Sequence, residues 1–232
     1  MKTLRFYPLV TAAFVTALVV SNIIAAKLAQ VGPLVLPAAV ILFPITYILG
    51  DVLTEVYGYA RARQVIWTGF ACNVVAVGAI GLAGLLPPAA FWNAGAYSGP
   101  AEAQQAYWAI LGSTPRILAA SFAAYLVGEF LNSLVLARLK VATAGRWLWL
   151  RTILSTVVGQ GADSTVFIAA AFAGVVPASA IGVTILSQWL TKSAYEALAT
   201  PLTYLVVNSL KRAEHLDVFD ADTDFNPFGL RS

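Results

Sequence analysis

Apolar residues in this chain run in long unbroken blocks, and polar residues gather in the short gaps between them. A membrane-spanning helix needs about 20 mostly apolar residues. Six segments meet that length, roughly 8–29, 33–50, 64–86, 115–138, 152–174 and 181–209. The pattern predicts an all-α integral membrane protein, a six-transmembrane-helix bundle over residues 1–212. The remaining 213–232 read as a polar, acidic, loosely ordered cytoplasmic tail. The first block follows Lys2 and Arg5, as a signal peptide would. Its apolar run is too long for a signal core and no A-x-A site follows, so it reads as a retained helix.

Composition agrees: 59% of the 232 residues are hydrophobic and 11% charged, with mean hydropathy +0.79. Soluble domains carry about 25% charged residues. A single cysteine, Cys72, and a single histidine, His215, exclude an internal disulfide and leave only carboxylates for a zinc site. No cofactor or metal is expected. The basic balance is placed by topology and does not indicate a nucleic-acid surface. Lys2 and Arg5 precede span 1, Arg61 and Arg63 separate spans 2 and 3, and Arg138, Lys140, Arg146 and Arg151 lie around the link between spans 4 and 5. Lys211 and Arg212 follow span 6, whereas the opposite loops hold only Arg116. This asymmetry predicts that both termini are cytoplasmic. The 87–114 connection, with Pro87, Pro88, Trp92, Tyr97, Gly99, Pro100, Tyr107 and Trp108, reads as a turn-rich segment carrying interfacial aromatics. Asp220, Asp222 and Asp224 alternate as in a calcium loop, but Phe225 replaces the required glycine and Arg231 the closing glutamate.

Six charges interrupt the apolar blocks: Asp51, Glu55, Glu129, Asp163, Lys192 and Glu196. A charge in hydrocarbon costs roughly 2.5–3.5 kcal/mol on insertion scales, so these positions point to movement of something polar. Asp51 and Glu55 are four apart and share a helical face, so they need cationic or hydrogen-bond partners, and Arg61 and Arg63 are near enough in sequence to serve. Pro44 is a candidate kink in the same span. Glu129 forms a polar stripe with Tyr125, Asn132 and Ser133. Ser155, Gly159 and Asp163 share a face of span 5, with Gln160 and Ser164 beside it. Gln188, Lys192 and Glu196 step along span 6, where Lys192 and Glu196 can pair or serve a ligand or proton. Span 1 adds Ser21, Asn22 and a snorkelling Lys27. With aromatics such as Phe43, Tyr47, Phe167 and Trp189 nearby, carboxylates and amides suit a flat, hydrogen-bond-rich heterocycle of guanine type.

The run from Phe43 through Leu49-Gly50-Asp51-Val52-Leu53-Thr54-Glu55-Val56-Tyr57-Gly58-Tyr59 to Arg61 and Arg63 resembles the signature of the queuosine precursor transporter family, also described as vitamin uptake transporter-like. Ser21-Asn22-Ile23-Ile24-Ala25-Ala26-Lys27, Gly159-Gln160-Gly161-Ala162-Asp163-Ser164 and the stretch from Lys192 to Pro201 resemble its other motifs. The similarity covers about residues 5–212. It implies a bacterial inner-membrane importer of 7-cyano-7-deazaguanine or 7-aminomethyl-7-deazaguanine. It also implies a fold similar to the substrate-binding subunits of energy-coupling-factor vitamin transporters. On this reading Asp163 and Gln160 face the hydrogen-bonding edge of the base, with Glu129 and Asn132 opposite. Lys192 and Glu196 complete the lining, and Asn22 is a weaker contact. Asp51, Glu55 and Arg61 form a cytoplasmic-side gate or brace. The alternative is a binding subunit or secondary transporter for another vitamin or purine. An intramembrane enzyme is disfavoured, because the single histidine lies in the tail and neither a G-x-S-G nor a G-x-G-D motif is present. Small residues in spans 3 and 5 suit a homodimer and tight monomer packing equally.

Overall fold

The computed structural model describes residues 4–31, 34–112, 115–175 and 177–229. Helix α1 spans Tyr7–Ile24. An antiparallel hairpin follows, β1 Leu28–Val31 and β2 Leu34–Pro37, with Leu28 opposite Pro37. A 3-10 turn, Ala38–Ile41, then leads into α2, Phe43–Tyr57. The remaining helices are α3 Tyr59–Leu85, α4 Pro100–Leu111, α5 Pro115–Ala142, α6 Leu148–Phe172 and α7 Ala178–Glu214.

Among the described residues, four stretches are long and apolar enough to cross a membrane: α1, α3, the Pro100–Ala142 stretch that contains α5, and α6. Their outer faces carry exposed Leu82, Val127, Val158 and similar residues, as expected of helices that face hydrocarbon. The protein is therefore a multi-pass membrane protein. The second expected span differs from its sequence reading. Its described residues, 34–50, divide into a strand, a 3-10 turn and the start of a 15-residue helix. Pro44 falls in the first turn of α2, where a missing backbone N–H costs nothing, so it starts the helix instead of kinking it. Helix α7 is long, but its polar positions keep it outside the apolar class.

The C-terminal half of α2 is the centre of the packing. Every residue from Asp51 to Tyr59 is buried. Val52, Leu53, Val56 and Tyr57 meet Val10 and Phe14 of α1, Ala62 and Val65 of α3, and Val207 of α7. Helices α2 and α3 join through one residue, Gly58, at φ +87°. A side chain there would be strained and would also meet Val218 at 2.6 Å, so only glycine fits. Helices α5 and α6 form the most extensive helix pair. A Cβ on Gly128 would lie 2.8 Å from Asp163 Cβ, and one on Gly159 2.8 Å from Asn132 Cβ. The glycines of span 5 are thus used for contact within the chain.

Two connections are more ordered than their composition suggests. The 87–114 segment contains α4, which docks on the end of α3: Gln104 Nε2 donates to the Gly84 carbonyl at 2.8 Å and the Tyr107 hydroxyl to that of Ile80 at 2.7 Å. The tail, expected to be loose, packs back on the bundle. The Asp220 carboxylate accepts from the Tyr59 backbone N–H at 3.1 Å and so caps α3 from a distant part of the chain. Arg63 Nη1 donates to the Asp224 and Asn226 carbonyls, and Trp67 Nε1 to that of Pro227. Glu214 performs the same service for α1, accepting from the N–H groups of Arg5 and Phe6. Of the three alternating aspartates, Asp220 and Asp224 are occupied as structural acceptors, the latter through Oδ1 from the Asn226 N–H. Replacing Asp220 with alanine is expected to lower stability by about 1–2 kcal/mol, the upper range for an N-cap, because the carboxylate is buried. Asp220→Asn should retain most of the cap. Thermal unfolding of the purified protein in detergent measures both.

Candidate functional site

Four helices carry polar residues that group into three layers, and on α2 the layers follow one another at four-residue steps. A step of four residues along a helix advances about 6 Å on one face. From the first layer to the third, α2 supplies Tyr47, Asp51 and Glu55; α5 supplies Glu129, then Asn132, then Lys140; α6 supplies Asp163 and Gln160, then Thr156, then Arg151; α7 supplies Lys192, then Glu196, then Lys211.

The first layer surrounds a cavity of about 580 Å³. Small-molecule sites measure about 300–1,000 Å³. Asn22, Glu129, Gln160, Asp163 and Lys192 line it, together with the rings of Tyr47, Phe122, Tyr125, Phe167 and Tyr195. Lys192 and Asp163 form an ion pair between α7 and α6, each side chain one-fifth exposed. The expected Lys192–Glu196 pair along α7 is not formed: Lys192 turns across to the neighbouring helix. Asn22 Nδ2 donates to Asn73 Oδ1 at 2.8 Å, which brings α3 into the lining. The wall also holds buried acceptors that receive no hydrogen bond among the described residues: Ser21 Oγ, Gln160 Oε1 and Gln188 Oε1. Buried polar atoms are rarely left so in a folded protein, which marks the wall as shaped for a polar guest. Trp189 does not line the cavity. Its Nε1 donates to the Val157 carbonyl and its ring lies over Gly161, so it ties α7 to α6. The side chain of Phe43 lies outside the described residues.

The second layer lies one turn deeper. Asn132 is displaced from the cavity wall and donates to Asp51 Oδ1 at 3.3 Å. Glu196 is likewise absent from the wall and 4% exposed, with Thr156 of α6 beside it and Asp51 in its field. These two expected ligand contacts therefore sit beneath the cavity, and Asp51 joins them.

The third layer is a buried charge cluster. Glu55 is completely buried, and its Oε1 receives Arg151 Nη2 at 2.7 Å and Lys211 Nζ at 2.7 Å, with Lys140 Nζ at 3.6 Å. Asp217 from the tail adds a second carboxylate, 2.5 Å from Lys140 and 2.9 Å from Lys211. Arg61 is not part of it and instead donates to the Tyr57 carbonyl. The sequence missed Lys140, Arg151 and Lys211 as partners because they also satisfy the count of cytoplasmic charges. Asn73 carried a legible signal, a lone amide within an apolar span.

Burial works against the charge of Asp217, but the hydrogen bonds and charges of Lys140 and Lys211 prevail and hold its carboxyl below the usual range. A depressed folded value gives stabilisation that is complete above the unfolded carboxylate range, about pH 4, and is lost as pH falls through the folded value. Asp217→Asn should therefore be less stable than the parent near neutral pH. The gap should close as the medium is acidified below about pH 4. Melting temperatures across that range read the effect.

Residues 37–206 match the family described as "Putative vitamin uptake transporter". The chain belongs to this family. The matched stretch runs from the end of β2 into α7 and contains the charged residues that line the cavity: Glu129, Asp163 and Lys192. The tail that completes the third layer lies beyond it. A relative from Bacillus subtilis (strain 168), named "Probable queuosine precursor transporter", is 28% identical over 189 residues, covering 81% of this chain and 79% of the relative. No solved structure matches the chain. Membership in the vitamin uptake transporter family agrees with a membrane bundle that encloses a small-molecule cavity. The polar layers are thus features of a transporter-family fold, not of a soluble binding domain.

Proposed function

We propose that this protein is an inner-membrane importer of 7-deazaguanine precursors of queuosine, with six membrane passages over residues 1–212 and both termini in the cytoplasm. The observation that carries the reading is the chemistry of the cavity wall. Glu129 and the free Gln160 and Gln188 acceptors lie among the rings of Tyr47, Tyr125 and Phe167. A guanine-type base offers adjacent N–H donors that suit a carboxylate, an oxygen acceptor that suits Lys192, and flat faces for aromatic packing. The name of the Bacillus relative supports the same ligand class. In this reading α2 and the shorter hairpin complete one passage and α7 another, while Glu55 and its partners brace the cytoplasmic end.

Glu129 is a stronger candidate for the N–H edge than Asp163, since Asp163 already holds Lys192. Asn22 and Gln160 remain secondary contacts. The reading is tested with purified protein in liposomes containing no other component. Uptake of labelled 7-cyano-7-deazaguanine, competed by the aminomethyl analogue and not by unrelated vitamins, is the expected result. Uptake only when a separate ATPase module is supplied, or preference for another vitamin, would replace it with the vitamin-binding-subunit alternative.

A further inference from the structure

Beneath the cavity, Asp51 of α2 and Glu196 of α7 are buried acids within electrostatic reach of each other, and no cation pairs with either among the described residues. Asp51 is 1% exposed and Glu196 4%. Neither forms an ion pair among the described residues. The buried carboxylate of the third layer is treated differently: Glu55 holds Arg151 and Lys211. Lys192 is one turn from Glu196 on α7 yet is directed to Asp163.

The surroundings of the pair are oxygen-rich and under-donated. From α5, Asn132 gives a single N–H to Asp51 Oδ1, while its own Oδ1 is buried and accepts nothing. Asp51 Oδ2 is also without a partner among the described residues. From α6, the Thr156 hydroxyl, on a residue 2% exposed, stands beside Glu196 without a hydrogen bond of normal geometry. The charged and titratable groups around Asp51 are Glu196 from α7, Glu129 from α5 and Glu55 on its own helix; Tyr47, on the same helix, lies in the field of Glu196, Asp163, Glu129 and Tyr195. Acids outnumber cations at this depth, and the three cations of the third layer are engaged by Glu55 and Asp217.

Two carboxylates in such a place repel each other and are poorly solvated. One proton removes both penalties, because a carboxyl hydrogen bonds to a carboxylate and leaves a single charge. We propose that Asp51 and Glu196 form a proton-binding pair that couples inward proton movement to transport through the cavity above them. The proposal rests on the importer reading. The pair lies between the cavity layer and the Glu55 cluster, so its charge state bears on both. Gaining a proton lets α2 and α7 approach, and losing it drives them apart. Glu129 and Asp163 in the cavity and Glu55 in the cluster bracket the pair as the nearest stations along α2, α5 and α6.

The test uses full-length protein in liposomes with labelled 7-cyano-7-deazaguanine, in sodium-free medium. An inside-alkaline step of one pH unit should sustain about tenfold accumulation if one proton moves with each substrate, since one unit equals about 1.4 kcal/mol. Adding unlabelled substrate to lightly buffered vesicles should also make the medium alkaline. Asp51→Asn and Glu196→Gln should abolish accumulation and alkalinisation but keep counterflow, the exchange of labelled for unlabelled substrate, which needs no net proton movement. Retained counterflow also shows that the variants are folded. Accumulation driven by sodium in place of the pH step, wild-type uptake that raises no pH, or variants that still accumulate would each overturn the proposal. So would loss of counterflow in folded variants, which would make the pair part of substrate binding. Absence of wild-type counterflow would instead overturn the importer reading, since counterflow is independent of coupling.

Discussion

Glu55→Ala is expected to cost about 3–5 kcal/mol, the range for breaking a buried ion pair by removing one partner. Glu55 Oε1 is the meeting point of Arg151 and Lys211, and Lys140 lies 3.6 Å away. Without it three cations would share Asp217 alone, and Asp217 is 45% exposed and touches only two of them. The loss is a large fraction of the 5–15 kcal/mol that typically holds a fold together. Most of the protein should therefore fail to reach the folded membrane fraction, and what is recovered should melt far below the parent. Glu55→Gln should be almost as damaging, because it preserves shape but not charge. Pairing Glu55→Gln with Lys211→Met should recover part of the loss, since Lys211 is the least buried cation of the three. A drop below about 1 kcal/mol would mean that water screens the cluster as it does a surface pair.

Glu129→Gln should weaken binding of 7-cyano-7-deazaguanine about 10- to 150-fold, with little change in melting temperature. The figure follows from about 1.5–3 kcal/mol for a hydrogen bond to a charged group. Glu129 lines the cavity and makes no ion pair among the described residues, so its replacement removes an acceptor from the guest without releasing a cation. Asp163→Asn should behave differently. It frees Lys192, so both binding and melting temperature should fall. Calorimetry on the purified protein, paired with melting curves, separates the two. If Asp163→Asn alone abolished binding and Glu129→Gln left it intact, the edge of the base would be read by Asp163, as the motif resemblance suggests.

Much of the architecture is legible in the sequence because hydrocarbon imposes a simple rule. Backbone groups must be satisfied within helices, so long apolar blocks become long helices. Span 2 broke the rule in detail. Its first part is apolar and contains Pro37 and Pro44, and periodicity alone does not distinguish a short hairpin from the start of a helix. The tail was misread for a related reason. Its polarity indicates contact with water, but its aspartates and backbone carbonyls satisfy helix ends and Arg63, and hydrophobicity carries no record of that.

The candidate site divides the same way. That Asp51, Glu129, Asp163, Lys192 and Glu196 are unusual follows from the sequence alone, because each interrupts an apolar run at an energetic cost. Their spacing of four also places Asp51 above Glu55 and Lys192 beside Glu196 on single faces. Which groups meet is a property of the tertiary structure. Lys192 reaches Asp163, 29 residues away, rather than its neighbour Glu196, and Glu55 finds Arg151 and Lys211, 96 and 156 residues away. The close approach of α5 and α6 at Gly128 and Gly159 sets the register that puts Asn132 under the cavity and Glu129 in its wall. The sequence by itself determined a multi-pass membrane bundle, its family and its costly charges, since burial in lipid depends on local composition. Only the packing of helices decided which charges neutralise each other and which remain for a guest, because ion pairing depends on distances between segments far apart along the chain.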